Sequence, residues 1–361
     1  MEICFFTGEF YNPKTGGEVY NKALIEAAEI SGWDVKIIEL YHSREKTTHV
    51  LDANLFVLKQ IMHLTADTVL MFDFGHLPSF TLGILFSRLF KKNKIIGVLH
   101  HYAYHDARRF RARILHRAAA YLLSSKIDVL FTNSKFSIDS FKGHTAKKIP
   151  MYRVAPFVAE KAQSQFNENR FSGSVTKFLY VGTLQRRKNL HTVLRALAKL
   201  NSDFVFDIVG AWDHEQYKQE VLELIESLGL TGKVSFYGRL EGRALSRMFE
   251  QATIFIMVSH MEGYGMVYAD AMKHGLPIIA SDRGAIPEVV TLDENGILCD
   301  PDDEQSIYAG ITELLSDKER LRTMSRINYE KYKTFNDRES FVQHYSINFS
   351  NVWGTQGHAP A

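Results

Sequence analysis

One charged residue stands beside two glycines in the stretch HMEGYGMVYADAMKHGLPIIAS, residues 260–281. Glu262 is followed by Gly263 and Gly265, then by an apolar run with helical spacing and an apolar strand-like run. Packing alone gives no reason to place a carboxylate and two flexible residues at the mouth of a buried helix. The residue types therefore indicate chemistry, and they leave open what Glu262 binds.

Three consecutive cations follow another strand-like run, KFLYVGT, just before a predicted helix. They are Arg186, Arg187 and Lys188. An arginine fork combined with the point charge of a lysine suits a diphosphate. The same residues are also compatible with a solvated turn, so the pattern alone does not decide between the two.

Gly16 and Gly17 open a predicted helix after the first strand. Bare backbone N–H groups at a helix N-terminus favour a phosphate, although a plain loop-to-helix turn is the alternative. Neither the dinucleotide fingerprint nor the ATPase loop occurs. His100 and His101 follow the strand-like run KIIGVLH. A neutral imidazole at a strand end can hold a substrate hydroxyl, and the alternative is a core or surface histidine. The other histidines are scattered, and we predict no metal site.

The stretch 107–126 has the period of a helix. Arg109, Arg113 and Arg117 share one face at i, i+4 and i+8, beside an apolar face. One interpretation is a solvated helix. The other is a basic amphipathic surface for an anionic membrane or a lipid-phosphate acceptor, which would make the protein peripheral on the inner face of the plasma membrane.

Short apolar strands alternate with amphipathic helices along the chain, which predicts parallel sheets covered by helices on both faces. One predicted helix covers Ser79–Phe90, and a short one covers Ala285–Val290. A polar linker at Glu160–Val175 separates two such series. We predict an α/β protein with two doubly wound, Rossmann-like domains over 1–165 and 176–335. A helical tail at 336–361 is expected to pack back on the N-terminal domain.

In open parallel sheets, ligands bind beyond the carboxyl ends of the strands, where the polar residues above are found. We therefore expect the ligand-binding edges of the two sheets to face each other across a cleft.

Composition excludes several classes of function. The 361 residues carry a net charge of +2, so we predict no nucleic-acid partner. Cys4 and Cys299 lie in separate halves of the chain, which argues against a disulfide framework and fits a reducing cytoplasm. No apolar run reaches the roughly 20 residues that a membrane span needs.

The stretch SHMEGYGMVYADAMKHGLPIIASDRGAIPEVV (259–290) resembles the donor-binding signature of retaining glycosyltransferase family 4, which has the GT-B fold. YVGTLQRRKNL (180–190) resembles the diphosphate loop of the same family, and FYGRL (236–240) matches too. The likeness extends along the whole chain and is dense from 177 to 290. Two positions depart from the family pattern: Asp270 stands where a Glu is usual, and Thr183 stands where an Arg is frequent.

The resemblance implies roles for these residues. Glu262 would bind the donor sugar at the reaction centre, and His100 would lie near the sugar and the acceptor hydroxyl. Arg187 and Lys188, with Arg186 beside them, would neutralise the diphosphate. Further donor contacts are implied for Gly16, Gly17, the backbone at Gly263, Tyr264, Gly265 and Met266, and the Asp270 side chain at the ribose.

The implied activity is a metal-independent, retaining transfer of a hexose. The donor would be a UDP-sugar or GDP-sugar, with no further cofactor. The acceptor would be a hydroxyl of a glycan or lipid-linked molecule in polysaccharide or lipopolysaccharide biosynthesis. Two alternatives remain: a sugar-nucleotide 2-epimerase of the same fold, and a non-catalytic subunit that binds nucleotide sugars. Nucleotide release with and without acceptor distinguishes the three.

Overall fold

The computed structural model describes residues 2–8, 10–11, 16–40, 50–100, 110–145, 148–154, 168–335 and 337–353. For 110–113, 168–169 and 347–353 only the backbone is described. The chain divides into two compact units. Unit 1 comprises Met1–Ala159 and Asn336–Ala361, and unit 2 comprises Glu160–Phe335.

Each unit contains a parallel sheet, as predicted, and each sheet has six strands. The strands of unit 1 are β1 (Glu2–Thr7), β2 (Asp34–Glu39), β3 (Val69–Asp73), β4 (Ile95–Leu99), β5 (Val129–Thr132) and β6 (Met151–Arg153). Those of unit 2 are β7 (Thr176–Val181), β8 (Phe204–Val209), β9 (Val234–Phe236), β10 (Ile254–Met257), β11 (Ile278–Ser281) and β12 (Gly296–Cys299).

Helices cover the sheets, and twelve of them are α-helices within the described residues. The first six are α1 (Gly16–Ile30), α2 (Val50–Met62), α3 (Thr81–Phe86), α4 (Phe110–Ser124), α5 (Lys135–Lys142) and α6 (Leu190–Ala198). The others are α7 (Glu215–Ser227), α8 (Gly242–Gln251), α9 (Met266–Lys273), α10 (Glu304–Ser316), α11 (Lys318–Lys333) and α12 (Arg338–Trp353).

The strand orders place a switch point in each sheet. Unit 1 has the order β2-β1-β3-β4-β5-β6, and unit 2 has the order β12-β11-β10-β7-β8-β9. The direction of winding therefore reverses between β1 and β3 and between β10 and β7. The crevice beyond the carboxyl ends of such a strand pair is where ligands bind in doubly wound sheets.

The two faces of the unit 1 sheet carry different helices. On one face α2, α3 and α4 pack over a single apolar core that includes Val57, Ile84 and Leu123. On the other face α1 and α12 share a second core. The Tyr20 hydroxyl of α1 bonds both to the Val154 carbonyl at 3.0 Å and to the Tyr345 hydroxyl of α12 at 2.7 Å. The α12 helix is thus held on α1.

Some elements differ from the sequence-based expectation. The predicted helix Ser79–Phe90 is split into a 3-10 helix (Phe74–Phe80), α3 and a π-helix (Ser87–Lys91). The π turn closes with a bond from the Lys92 N–H to the Ser87 carbonyl at 2.6 Å. The predicted helix at Ala285–Val290 is one 3-10 turn at Ile286–Glu288. The helix α2 was not predicted from the sequence.

The two cysteines are free and buried, one in each unit. Burial raises the pKa of each thiol to about 12. Within the described part of the chain, no helix is both long enough and apolar enough to span a membrane.

Candidate active site

The candidate site of unit 2 lies at the switch point between β7 and β10. The loop after β10 carries Glu262, which is only 7% exposed. The Glu262 carbonyl accepts a bond from the Ala285 N–H at 3.1 Å. Gly284 has a φ of +66°, and a Cβ there would come within 2.8 Å of the same carbonyl oxygen. The loop after β11 therefore presses directly on the Glu262 peptide, and this contact requires a glycine.

The loop after β7 brings two of the three predicted cations to Glu262. Lys188 Nζ lies 2.7 Å from Glu262 Oε1, and an Arg187 guanidinium nitrogen lies 3.3 Å from the same oxygen. Arg187 also donates to the Met261 carbonyl. Burial alone would raise the pKa of Glu262, but Lys188 and Arg187 outweigh burial and lower it. Glu262 is therefore a buried, ionised carboxylate within a cluster of net positive charge.

Arg186 does not join this cluster. Its guanidinium pairs with Glu220 and lies 5.5 Å from the centre of the Tyr217 ring. Trp212 packs against the same tyrosine, with ring centroids 6.0 Å apart. Arg186 thus belongs to an aromatic neighbourhood beyond β7 and β8, which the three-cation pattern did not predict.

The start of α9 fixes the backbone that is predicted to contact the donor. Gly265 precedes the helix with a φ of +86°, and a Cβ there would lie 2.6 Å from the Tyr268 ring. Gly263 and Met266 flank this turn in partly exposed positions, while Tyr264 is buried. Backbone N–H groups at a helix start carry partial positive charge. This turn and the cations come together at the same pair of strands.

Asp270 is the fifth residue of α9, and its side chain is exposed. Desolvation by the surrounding protein raises the pKa of this carboxyl to about 7, and Lys273 acts in the opposite direction. Because the Asp270 side chain is exposed, it is open to a ligand.

A second group of polar residues lies at the switch point between β1 and β3 of unit 1. Asp73 is 7% exposed and accepts from Thr7 Oγ1 at 3.2 Å, from Asn21 Nδ2 at 3.0 Å and from the Gly75 N–H at 3.0 Å. Burial raises the pKa of Asp73, but His100, His76 and the bonds from Gly75 and Asn21 reverse the effect and lower it. Asp73 is therefore a buried, ionised carboxylate.

His100 is held by α1. Its Nε2 lies 2.7 Å from Asn21 Oδ1, and its ring packs edge-on against Tyr20 with centroids 5.1 Å apart. A Cβ at Gly17 would come within 3.3 Å of the ring. Because Asn21 Nδ2 donates to Asp73, Asn21 Oδ1 must accept, and His100 Nε2 must carry the proton. Asp73 and Asn21 thus set the tautomer of His100. Gly16 opens the same helix in an exposed position.

This bonding pattern predicts a tautomer that can be measured. We expect ¹⁵N–¹H spectra of the imidazole rings of the wild-type protein to show a proton on His100 Nε2. The His100 signal is assigned as the one that is missing in the His100→Gln variant. Asn21→Leu removes the acceptor of that proton and one donor to Asp73, and the lost bonds should cost about 1 to 3 kcal/mol of stability. An unchanged His100 signal in a folded Asn21→Leu variant would contradict the conclusion that Asn21 sets the tautomer of His100.

Several site residues carry no recognisable sequence signal. Asn189, at a φ of +58°, donates to the Val258 carbonyl at 3.0 Å and to the Pro301 carbonyl at 2.7 Å, which ties three loops together. The contacts of Asn21, Asp73 and Gly284 likewise join residues far apart in sequence. Asn189 precedes a predicted helix, but this position in the sequence does not predict its bonds to the other two loops. Within the described residues, no group of three or more His, Cys, Asp or Glu side chains is placed to hold a metal ion.

The two parallel six-stranded sheets are those of the GT-B fold, and solved structures agree. Sucrose-phosphate synthase from Thermosynechococcus elongatus superposes with a TM-score of 0.82 at 17% identity, over 98% of this chain and 99% of that one. The Anabaena HepE protein, crystallised with UDP and glucose, superposes with a TM-score of 0.76 at 16% identity, over 97% and 100% of the two chains. At these identities the likeness establishes the fold.

The likeness to a known sequence family lies in unit 2. Residues 161–331 match the family model described as glycosyl transferases group 1. A glycosyltransferase of Methanocaldococcus jannaschii is 30% identical over 177 residues, which span 47% of this chain and 44% of that protein. The likeness to the group 1 glycosyltransferases therefore covers residues 161–331, within unit 2. The chain spans less than half the length of this relative, so the comparison establishes no particular activity.

Proposed function

We propose that the protein is a retaining glycosyltransferase that moves a hexose from a UDP-sugar or GDP-sugar to a hydroxyl of a glycan or lipid-linked acceptor. One observation supports this most strongly: the buried Glu262 carboxylate is paired with Lys188 and Arg187 at the switch point of the unit 2 sheet. A carboxylate suits sugar hydroxyls, and two cations beside a helix start suit a diphosphate.

In the proposed reaction, the bond between the anomeric carbon and the diphosphate oxygen breaks, and a bond to the acceptor oxygen forms. The acceptor proton leaves with the nucleoside diphosphate. Negative charge grows on the leaving group, and Arg187, Lys188 and the N–H groups at the start of α9 would stabilise it. Glu262 would hold the sugar hydroxyls, and His100 would hold a hydroxyl of the sugar or acceptor. Asp270 would bind the ribose.

The test is a panel of UDP-sugars and GDP-sugars, measured by thermal stabilisation and by nucleotide release. A ligand that binds the folded state raises the apparent stability, so the correct donor should raise the melting temperature. Release that depends on an acceptor supports a transferase, whereas isomerisation without acceptor supports the 2-epimerase. Stabilisation without either reaction supports a non-catalytic subunit. A panel that gives no stabilisation would contradict all three.

We propose that the transfer needs no divalent metal and no cofactor. Two side-chain cations and a helix start are available for the diphosphate, which is the role that a bound Mg²⁺ or Mn²⁺ would otherwise fill. Initial rates should therefore be the same, within error, in buffer with a chelator and in buffer with added Mn²⁺. Activity that a chelator abolishes and Mn²⁺ restores would overturn this prediction.

We also infer that the protein contacts an anionic membrane from its N-terminal side, which would bring it to lipid-linked acceptors. The helix predicted at 107–126 is α4, which begins at Phe110. Arg117 of the predicted basic face is exposed. Arg109 lies outside the described residues, and the side chain of Arg113 is not described. The apolar neighbours Ile114 and Leu122 are 52% and 49% exposed, which favours a membrane contact over a merely solvated helix.

A further inference from the structure

Unit 1 exposes large apolar side chains on one set of helices. Of the eighteen large hydrophobic residues that are exposed in the described part of the chain, twelve lie on α2, α3, the π-helix and α4. The most exposed are Phe90 at 72%, Leu89 at 71%, Leu51 at 64% and Tyr121 at 63%. Isolated exposed apolar residues are normal in soluble proteins, whereas a concentration of them marks an interaction surface.

These helices are neighbours, so their outer sides form one surface. The middle helix, α3, packs against both α2 and α4. A Cβ at Gly83 of α3 would come within 2.8 Å of Val57 and Ile61 of α2, so the two helices are in close contact. The inner sides of all three helices share one core on the same face of the sheet. We call the outer sides of α2, α3, the π-helix and α4 the three-helix surface.

The π-helix fixes the most exposed part of this surface. Arg88 donates to the Lys126 carbonyl at 2.6 Å, beyond the end of α4. Lys91 donates to the Met62 carbonyl at 2.8 Å, at the end of α2. The two cations are thus bonded to the neighbouring helices, while Leu89 and Phe90 between them face solvent. A corner that turns its apolar side chains outward is unfavourable in water, and it becomes favourable when a partner covers it.

The charge of this region indicates which partner. Residues 50–126 contain eleven Lys and Arg against four Asp and Glu, a net charge of +7. The whole chain carries only +2, so the remaining residues sum to −5. Lys59, Lys92, Lys94 and Arg117 are exposed on or next to the three-helix surface. Lysine is depleted in protein interfaces, whereas apolar side chains surrounded by cations suit a bilayer with anionic headgroups.

We propose that the three-helix surface binds an anionic bilayer, with Leu89 and Phe90 inserted among the acyl chains and the surrounding cations on lipid phosphates. This deepens the membrane contact proposed above and rests on it. It adds α2 and the π-helix to α4, and it adds an apolar component to an electrostatic one. Donor binding in unit 2 is a separate property, so the proposal of membrane binding and the proposal of donor binding can each fail without the other.

The experiment is co-sedimentation of the full chain with phosphatidylglycerol/phosphatidylcholine vesicles and with phosphatidylcholine vesicles, over a salt series. Wild type should bind the anionic vesicles, with a remainder of binding that high salt does not remove. Leu89→Ser/Phe90→Ser should lower the partition coefficient by at least about tenfold and abolish that remainder. The control is Ile30→Ser. Ile30 is 66% exposed at the end of α1, on the other face of the sheet, and its replacement should leave binding unchanged.

Insertion into the acyl chains is measured separately by the fluorescence of a tryptophan placed at position 90 or, as a control, at position 30. Lipid that is brominated in the acyl chains should quench the added fluorescence of Phe90→Trp, and it should not quench that of Ile30→Trp. Thermal stabilisation by donor should be the same in all these variants. Wild type that ignores anionic vesicles at low salt would overturn the proposal. Binding by Leu89→Ser/Phe90→Ser that equals wild-type binding would also overturn it. A wild-type chain that self-associates, and that the same double variant makes monomeric, would overturn it too, because a second copy of the chain would then cover the surface.

Discussion

Replacement of Glu262 by Gln should leave a folded protein that transfers sugar at least about a hundredfold more slowly than wild type. The substitution keeps the size of the side chain and removes its charge. An amide at this position accepts fewer hydrogen bonds from sugar hydroxyls, and it no longer neutralises the charge of Lys188, which lies 2.7 Å from the present carboxylate. Initial rates of nucleotide release with acceptor, together with the melting temperature, measure both consequences.

The matched control for this variant is Glu304→Gln. Glu304, at the start of α10, also pairs with a lysine at 2.7 Å, but its side chain is partly exposed, and that lysine, Lys199 just after α6, is exposed. It tests whether the loss of any carboxylate–lysine pair in unit 2 slows transfer. We expect the rate of this variant to stay within about twofold of wild type, because exposed ion pairs contribute little. Normal turnover by a folded Glu262→Gln variant would remove Glu262 from the site.

The two sheets were predictable from sequence because each strand is an apolar run that both faces of a parallel sheet can bury. The helix α2 was missed for a related reason. Its outer side carries Leu51, Leu55 and Phe56 as exposed residues, which obscures the period that marks an amphipathic helix. The apolar surface that hides the helix in the sequence is the surface proposed to meet a membrane. A departure from the expected pattern thus carries information about function.

The candidate site was predictable only in part. Strand ends converge in a parallel sheet, and this rule alone brings Lys188 and Arg187 near Glu262. It does not distinguish Arg186, which directly precedes Arg187 in the sequence but pairs with Glu220 instead. It also cannot show that Gly284 must lack a side chain, since that need arises from the Glu262 carbonyl, which lies in a different loop. Contacts between loops depend on the folded backbone, and no local pattern records them.

Loss of Lys188 should destabilise the protein more than any surface substitution. In Lys188→Met, the buried Glu262 carboxylate loses its nearer cation and keeps Arg187, at 3.3 Å, so we expect the free energy of unfolding at neutral pH to fall by about 2 to 4 kcal/mol. Lys188 lowers the pKa of Glu262 in the folded state. The stability from this pair is therefore fully present above the unfolded pKa, about 4.3, and is lost as pH falls through the folded value.

Urea unfolding of wild type and Lys188→Met from neutral to acidic pH measures this effect, and the difference should shrink in acid as Glu262 takes up a proton. Lys199→Met, which breaks the exposed pair with Glu304, should cost at most about 1 kcal/mol. The double variant Lys188→Met/Glu262→Gln separates structure from chemistry. It removes the buried carboxylate together with its nearer cation, and Arg187 stays partly exposed and bonded to the Met261 carbonyl, so most of the lost stability should return while transfer stays abolished. A double variant as unstable as Lys188→Met would show that Lys188 stabilises the loop without Glu262, and the ion pair would then not be the reason that these residues lie together.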